Sequence, residues 1–206
     1  MKNILNIVLL VALFSCTTKN KTEQETTLEA TSISKNDDEA IKPIKPCDFF
    51  NQDQLAKVFD IKDKSTIEMY ARDNFRLNTN QCQFIWQEEK GSVKGSQIMI
   101  DITHKTPDDG ATFSRMLELK LKNGLTAREN NQTITIMPTP LEGFNDFAFH
   151  WTQPNFQNVQ IIAFQVNNNY MVEITFNCHM GIEVSQEDIK NKLIEIGNQI
   201  KRSLNN

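Results

Sequence analysis

The stretch Val159-Gln160-Ile161-Ile162-Ala163-Phe164-Gln165-Val166-Asn167-Asn168-Asn169-Tyr170-Met171-Val172-Glu173-Ile174-Thr175-Phe176-Asn177-Cys178 decides the fold. It holds two runs rich in β-branched and aromatic residues, separated by three asparagines. Asparagine tolerates the left-handed backbone angles that a tight turn between antiparallel strands demands. In the second run Val172, Ile174, Phe176 and Cys178 recur at a spacing of two, the side-chain period of a strand. The reading is a β-hairpin, with strands over residues 159–166 and 170–178.

The residues on either side of the hairpin carry the same alternation and turn signals. Before the hairpin, residues 147–151 read as a strand that follows the turn Gly143-Phe144-Asn145-Asp146. Residues 132–137 form another, ended by Pro138 and Pro140. Over residues 96–104, Ile98, Ile100 and Ile102 alternate with Met99, Asp101 and Thr103. Over residues 82–87, Cys82, Phe84 and Trp86 share a face, and Gly91 and Gly95 mark a turn between these two strands. Residues 66–70 are a further strand candidate. Three helices complete the set. Leu55, Val58 and Phe59 make one face of a short helix capped by Asn51. Phe113, Met116, Leu117 and Leu121 stripe a second, with Asp108 as its cap and Asn123-Gly124 as its stop. Ile189, Leu193, Ile196 and Ile200 line a third, from Ser185 to about residue 202, where Ser185 and Asp188 resemble a capping box. Hairpins in the second half and helices at both ends indicate an α+β fold, a largely antiparallel sheet flanked by helices. No repeat of 20 to 50 residues is visible.

The other end of the chain concerns address. Lys2 precedes an apolar run, Ile7 to Phe14, that is far shorter than the roughly 20 residues a spanning helix needs. It closes on Leu13-Phe14-Ser15-Cys16, which resembles the lipobox of a bacterial lipoprotein signal. That resemblance implies cleavage before Cys16 and attachment of acyl chains to it, and two or more chains give a stable anchor. Thr17 to Thr27 contain no apolar residue, and the chain stays poor in apolar groups as far as Pro46, so it reads as a flexible tether. The expected organisation is a signal peptide over residues 1–15, a lipidated cysteine and polar tether over 16–46, and one α+β domain over 47–206. Such a protein is exported and held on the cell-envelope membrane, the outer one in a two-membrane cell, with its domain on the periplasmic or extracellular side.

The domain resembles small secreted lipoproteins of unknown function with a PsbP-like α/β/α sandwich. The residues that carry the likeness are Pro46-Cys47 before a short helix, Cys82 in a strand with Trp86 beyond it, and Gly143-Phe144-Asn145-Asp146-Phe147-Ala148 before the closing hairpin. The resemblance implies a fold and no reaction, since fold does not determine function.

Composition narrows the chemistry. The 206 residues carry a formal net charge of −4, with 39% hydrophobic and 23% charged residues, so no basic field exists to attract nucleic acid. Besides Cys16 the cysteines are Cys47, Cys82 and Cys178. Export favours an oxidised pair, and Cys47 with Cys82 is the preferred one. Cys178 is then a buried thiol, with a pairing that includes Cys178 as the alternative. Cys178-His179, His104 and His150 are the metal-like residues, but they fall on separate strands without CxxC, HxH or HExxH spacing, so no metal or other cofactor is expected. No serine elbow, P-loop or dinucleotide fingerprint occurs. Asp101 is either a buried carboxylate or, as an antiparallel sheet with one wet face favours, turned to solvent. Glu88-Glu89 and Asp108-Asp109 read as turn and capping residues. The expectation is a non-catalytic domain that binds a partner protein or envelope component. The alternative is a carrier or sensor of a small apolar ligand held between sheet and helices, lined by Phe144, Phe147, Phe149, Phe164 and Phe176.

Overall fold

A computed structural model of the chain describes residues 44–74, 78–87, 95–105, 112–129, 132–153, 156–179 and 182–206. Among these residues are three α-helices, nine strands and two short 3-10 turns. The helices are α1 (Gln52–Phe59), α2 (Phe113–Asn123) and α3 (Gln186–Asn205). The strands are β1 (Ile67–Asn74), β2 (Thr79–Gln87), β3 (Gly95–His104), β4 (Leu125–Glu129), β5 (Gln132–Ile136), β6 (Thr139–Pro140), β7 (Phe149–Gln153), β8 (Phe156–Val166) and β9 (Tyr170–Cys178). Seven strands form one antiparallel sheet in the order β1-β2-β3-β9-β8-β7-β6, and β4 pairs with β5 in a separate ribbon. The fold is thus α+β.

The sheet is two meanders joined at its centre. The chain runs β1-β2-β3, leaves through α2 and the β4–β5 ribbon, and re-enters at the far edge. It then returns through β6, β7 and β8, so that β9 pairs with β3. The predicted hairpin is β8–β9, with Asn167 and Asn168 at φ 53° and 58° supplying the left-handed turn.

One sheet face is sealed by α1 and α3. Phe84, Ile98, Ile100, Ile162, Phe164, Ile174 and Phe176 from the strands pack with Leu55, Leu193, Ile196 and Ile200 from the helices. The sequence places these two helices because their apolar stripes are continuous and their starts are capped. Asn51 Oδ1 accepts from the Asp53 and Gln54 amides, and Gln54 returns the bond to the Asn51 amide. Ser185 Oγ accepts from the Asp188 amide. The other face carries a smaller core in which Leu117 of α2 meets Phe149, Trp151 and Ala163, with Leu125, Ala127 and Ile136 of the ribbon packed around them.

Several expectations shift. The cap of α2 is Thr112, whose Oγ1 accepts from the Arg115 amide, while Asp108 lies outside the described residues. Gly95 is the first residue of β3, opposite Gln87, rather than part of a turn, and Gly91 lies outside the described residues. Pro140 belongs to β6 instead of only ending a strand. The strand over residues 132–137 pairs with β4 and stays out of the main sheet.

Candidate functional site

The two faces of the sheet are finished differently. On the face under α2 and the ribbon, the apolar cluster reaches Met171 on β9 and stops. The rest of that face belongs to β1, β2, β3 and part of β9, and most of its positions are polar. Three rows of directly opposed residues cross it. Arg72, Gln81, Asp101 and Glu173 form the first, Tyr70, Gln83, Met99 and Thr175 the second, and Glu68, Ile85, Gln97 and Asn177 the third. They stand there because Cys82, Phe84 and Trp86 point into the opposite core, and a strand alternates sides. Neighbouring polar groups bond across strands. Gln81 Nε2 donates to Asp101 Oδ1 at 2.8 Å, Gln83 Nε2 to Gln97 Oε1 at 3.3 Å, and the Thr79 and Thr103 hydroxyls lie 2.8 Å apart. Tyr70, 42% exposed, donates its hydroxyl to Glu68 Oε2.

Asp101 and Glu173 are direct cross-strand partners, and like charges so placed repel. Lys120 of α2 reaches Glu173 Oε2 at 3.0 Å and offsets part of this. Asp101 is half-buried, neither sealed in a core nor free in solvent. Its carboxyl is pushed above the ordinary carboxylate range, first by burial and less by the charge of Glu173, while the Gln81 hydrogen bond opposes the rise. Two shallow depressions meet at Ile85 at one end of this face. One, of about 270 Å³, is lined by Gly95, Gln97, Asn177 and His179, and the other, of about 200 Å³, by Ser65, Glu68 and Gln87. A face of this kind presents amide donors and acceptors side by side. Chemically, it can hydrogen-bond a polar surface laid on it.

The histidines and Cys178 are dispersed. His104 ends β3 opposite Tyr170, whereas Cys178 lies at the other end of the β3–β9 ladder opposite Ser96, with His179 next to it. His150 stands on β7 opposite Ile162. Among the described residues no group of three or more His, Cys, Asp or Glu could hold a metal ion. His150 has a structural neighbourhood instead. Its Nε2 lies 2.9 Å from Oε1 of the fully buried Gln160, whose Nε2 donates to the Gln186 carbonyl at the start of α3. With Gln160's amide nitrogen so engaged, its oxygen is the acceptor and His150 Nε2 the donor. Burial holds the imidazole below its usual range, with Lys190 acting the same way, and the Gln160 bond and Glu187 opposing.

Cys47 and Cys82 are joined in a disulfide that ties the segment before α1 to β2. Cys178 is buried at the end of β9 and takes no part in that bridge. Cys16, Glu88-Glu89 and Asp108-Asp109 lie outside the described residues. The phenylalanines considered as a ligand lining are packed on other side chains. Phe144 and Phe164 have ring centroids 4.4 Å apart, Phe176 stacks on Phe59 at 5.8 Å, and Phe149 sits under α2. The polar rows on β1–β3 escaped the sequence reading, although Gln81, Gln83 and Gln87 alternating with Cys82, Phe84 and Trp86 is the signal that marks them. Among the described residues no helix is long and apolar enough to cross a membrane. The chain matches no protein-family model, no curated protein and no solved structure.

Proposed function

We propose that this is an exported protein, anchored to a cell-envelope membrane by lipid on Cys16, whose non-catalytic domain binds a partner protein or another envelope component. The observation that carries the reading is the half-covered sheet. Two helices pack on one face and a helix plus a ribbon on half of the other, and among the described residues no helix or ribbon packs on the half-buried amides, hydroxyls and charges of β1, β2 and β3. Polar side chains already bonded to one another lose little on contact with a polar partner that offers equivalent bonds. The Cys47–Cys82 bridge supports export, because such bonds persist in oxidising compartments. The lipobox-like Leu13-Phe14-Ser15-Cys16 supports the anchor. Helices on both faces of one antiparallel sheet support the likeness to PsbP-like α/β/α sandwiches. The apolar-carrier reading draws no support from the phenylalanines, since their rings fill cores.

The test is crosslinking in intact cells that carry an affinity tag after Asn206, followed by mass spectrometry. One envelope protein recovered at near-stoichiometric yield supports the reading. A clean preparation, with a small apolar molecule extracted from it in stoichiometric amount, sinks it. Labelling with radioactive palmitate that is abolished by Cys16→Ser checks the anchor, and label that survives the substitution refutes it.

A further inference from the structure

The two edges of the main sheet are unlike. At one end β6 is two residues long and contains Pro140, a blunt edge that offers little to pair with. At the other, β1 runs for eight residues without glycine or proline. It also carries two exposed large apolar side chains, Met69 and Tyr70. We propose that two copies of this chain pair antiparallel through β1, with Tyr70 on the two-fold axis.

Hydrogen-bond parity sets which backbone groups are on offer. The Ile67 amide donates to the Lys64 carbonyl, and the Ile67 carbonyl accepts from Gln52 Nε2, so Ile67 turns both groups away from β2. In an antiparallel ladder this orientation alternates. Met69, Ala71 and Asp73 therefore present their amides and carbonyls on the open side, and the other groups of the strand face β2. Among the described residues nothing pairs with the backbone of Met69 or Ala71 on that side.

Charge then selects the register. Hydrogen bonding allows shifts of two residues only, since a shift of one sets outward groups against inward ones. With Tyr70 opposite itself, Glu68 faces the partner copy's Arg72 and Arg72 faces the partner copy's Glu68, giving two opposite-charge pairs on one sheet face. Met69 and Ala71 face each other across the axis and exchange four main-chain hydrogen bonds. Shifting by two in one direction sets Glu68 against Tyr70 and Met69 against itself. Shifting the other way sets Arg72 against Tyr70 and Ala71 against itself. Neither gains an ion pair. The strand is thus self-complementary in a single antiparallel register, which is the requirement of an isologous contact. The interface is small, so a common membrane anchor would favour it by raising effective concentration. The inference concerns the edge of the sheet and stands apart from what its open face binds.

The test is disulfide trapping of the full chain in the cells that export it. Residues directly opposite in a non-hydrogen-bonded pair have Cα atoms about 4.5 Å apart, within reach of a disulfide. Tyr70→Cys is expected to give, on mild oxidation, a dimer bridged between the two introduced cysteines. Met69→Cys, two residues out of register with itself, is expected to remain monomeric. Adding Glu68→Arg to the Tyr70→Cys chain should cut the trapped fraction at least about fivefold by setting like charges opposite, and adding Arg72→Glu as well should restore it. Three results overturn the proposal: Tyr70→Cys stays monomeric while its Cys47–Cys82 bridge is intact, Met69→Cys traps as readily, or Tyr70→Cys is captured by a different protein. If Tyr70→Cys does not accumulate, sedimentation of the unsubstituted chain decides, with a concentration-dependent dimer that Glu68→Arg abolishes in support and a monomer at every concentration against.

Discussion

His150 and Asp101 are the residues whose protonation the fold perturbs most informatively, and they do so in opposite senses. Burial holds His150 below its ordinary 6.5, so the folded chain binds fewer protons than the unfolded chain between the two values. Its contribution to stability is therefore whole above about pH 6.5 and is lost as pH falls through the folded-state value. We predict that urea midpoints decline with acid in this window and that His150→Gln flattens the decline; an unchanged profile contradicts the assignment. Asp101 is the reverse case. Its carboxyl lies above the ordinary 3.8, so its contribution is present below pH 3.8 and is lost as pH rises through the folded value. At pH 7 Asp101→Asn should stabilise the domain by on the order of half a kcal/mol. The amide oxygen keeps the bond from Gln81, and repulsion with Glu173 is gone. A loss of stability on this substitution would mean that the charge is held by something other than Gln81. The sequence offered Asp101 as buried or solvent-facing. Its real state, half-buried beside Glu173, depends on β3 lying next to β9, about 70 residues away in the chain.

At the scale of elements, α3 illustrates competition between propensity and packing. Gly197 lies in its middle, and a Cβ there would sit 3.0 Å from Phe144, 3.1 Å from Ile162 and 3.1 Å from Phe164. Replacing glycine by alanine in a helix favours folding by about 1 kcal/mol, whereas overfilling a packed core costs about 1–3 kcal/mol. Three simultaneous contacts against ring and branched carbons put packing ahead. Gly197→Ala should destabilise the domain by about 1 kcal/mol in urea unfolding, and a stabilised variant would mean that the helix can ride outward. The sequence made α1 and α3 readable because caps and apolar stripes coincide at their starts. It misplaced the start of α2 because Thr106-Pro107-Asp108-Asp109-Gly110 offers several capping residues before Thr112. The ribbon strand β4 went unread because Leu125-Thr126-Ala127-Arg128-Glu129 is short and directly follows a helix stop. The two-residue β6 went unread because a proline ordinarily argues against a strand. The Cys47–Cys82 bridge closes a separation of 35 residues. In the chain-entropy model that contributes about 3–4 kcal/mol, a large share of the stability of a domain this size.

For the whole molecule, the decisive feature is the junction of two meanders through β3 and β9. Alternation along each strand was legible and gave the core face of β2, β3 and β9 residue by residue. Beyond the β8–β9 hairpin, which strands are neighbours was not, because pairing between β3 and β9 is set by where α2 and the ribbon return the chain. That topology sets α3 over β8 and β9 and brings Phe50 and Phe59, which flank and end α1, onto Phe84 and Trp86 of β2. On the other side of β1–β3, among the described residues, no helix or ribbon is packed, and Gln83 stands near the middle of its rows. We propose this face as the docking surface for the partner. A photo-crosslinking amino acid is placed at Gln83, on that face, and in a second strain at Gln199 of α3, across the sheet from it, in cells carrying the tagged full chain. The expected result is one dominant envelope protein captured from Gln83 and little from Gln199. Equal capture from both positions, or none from Gln83 in cells where the domain is folded and exported, would contradict it.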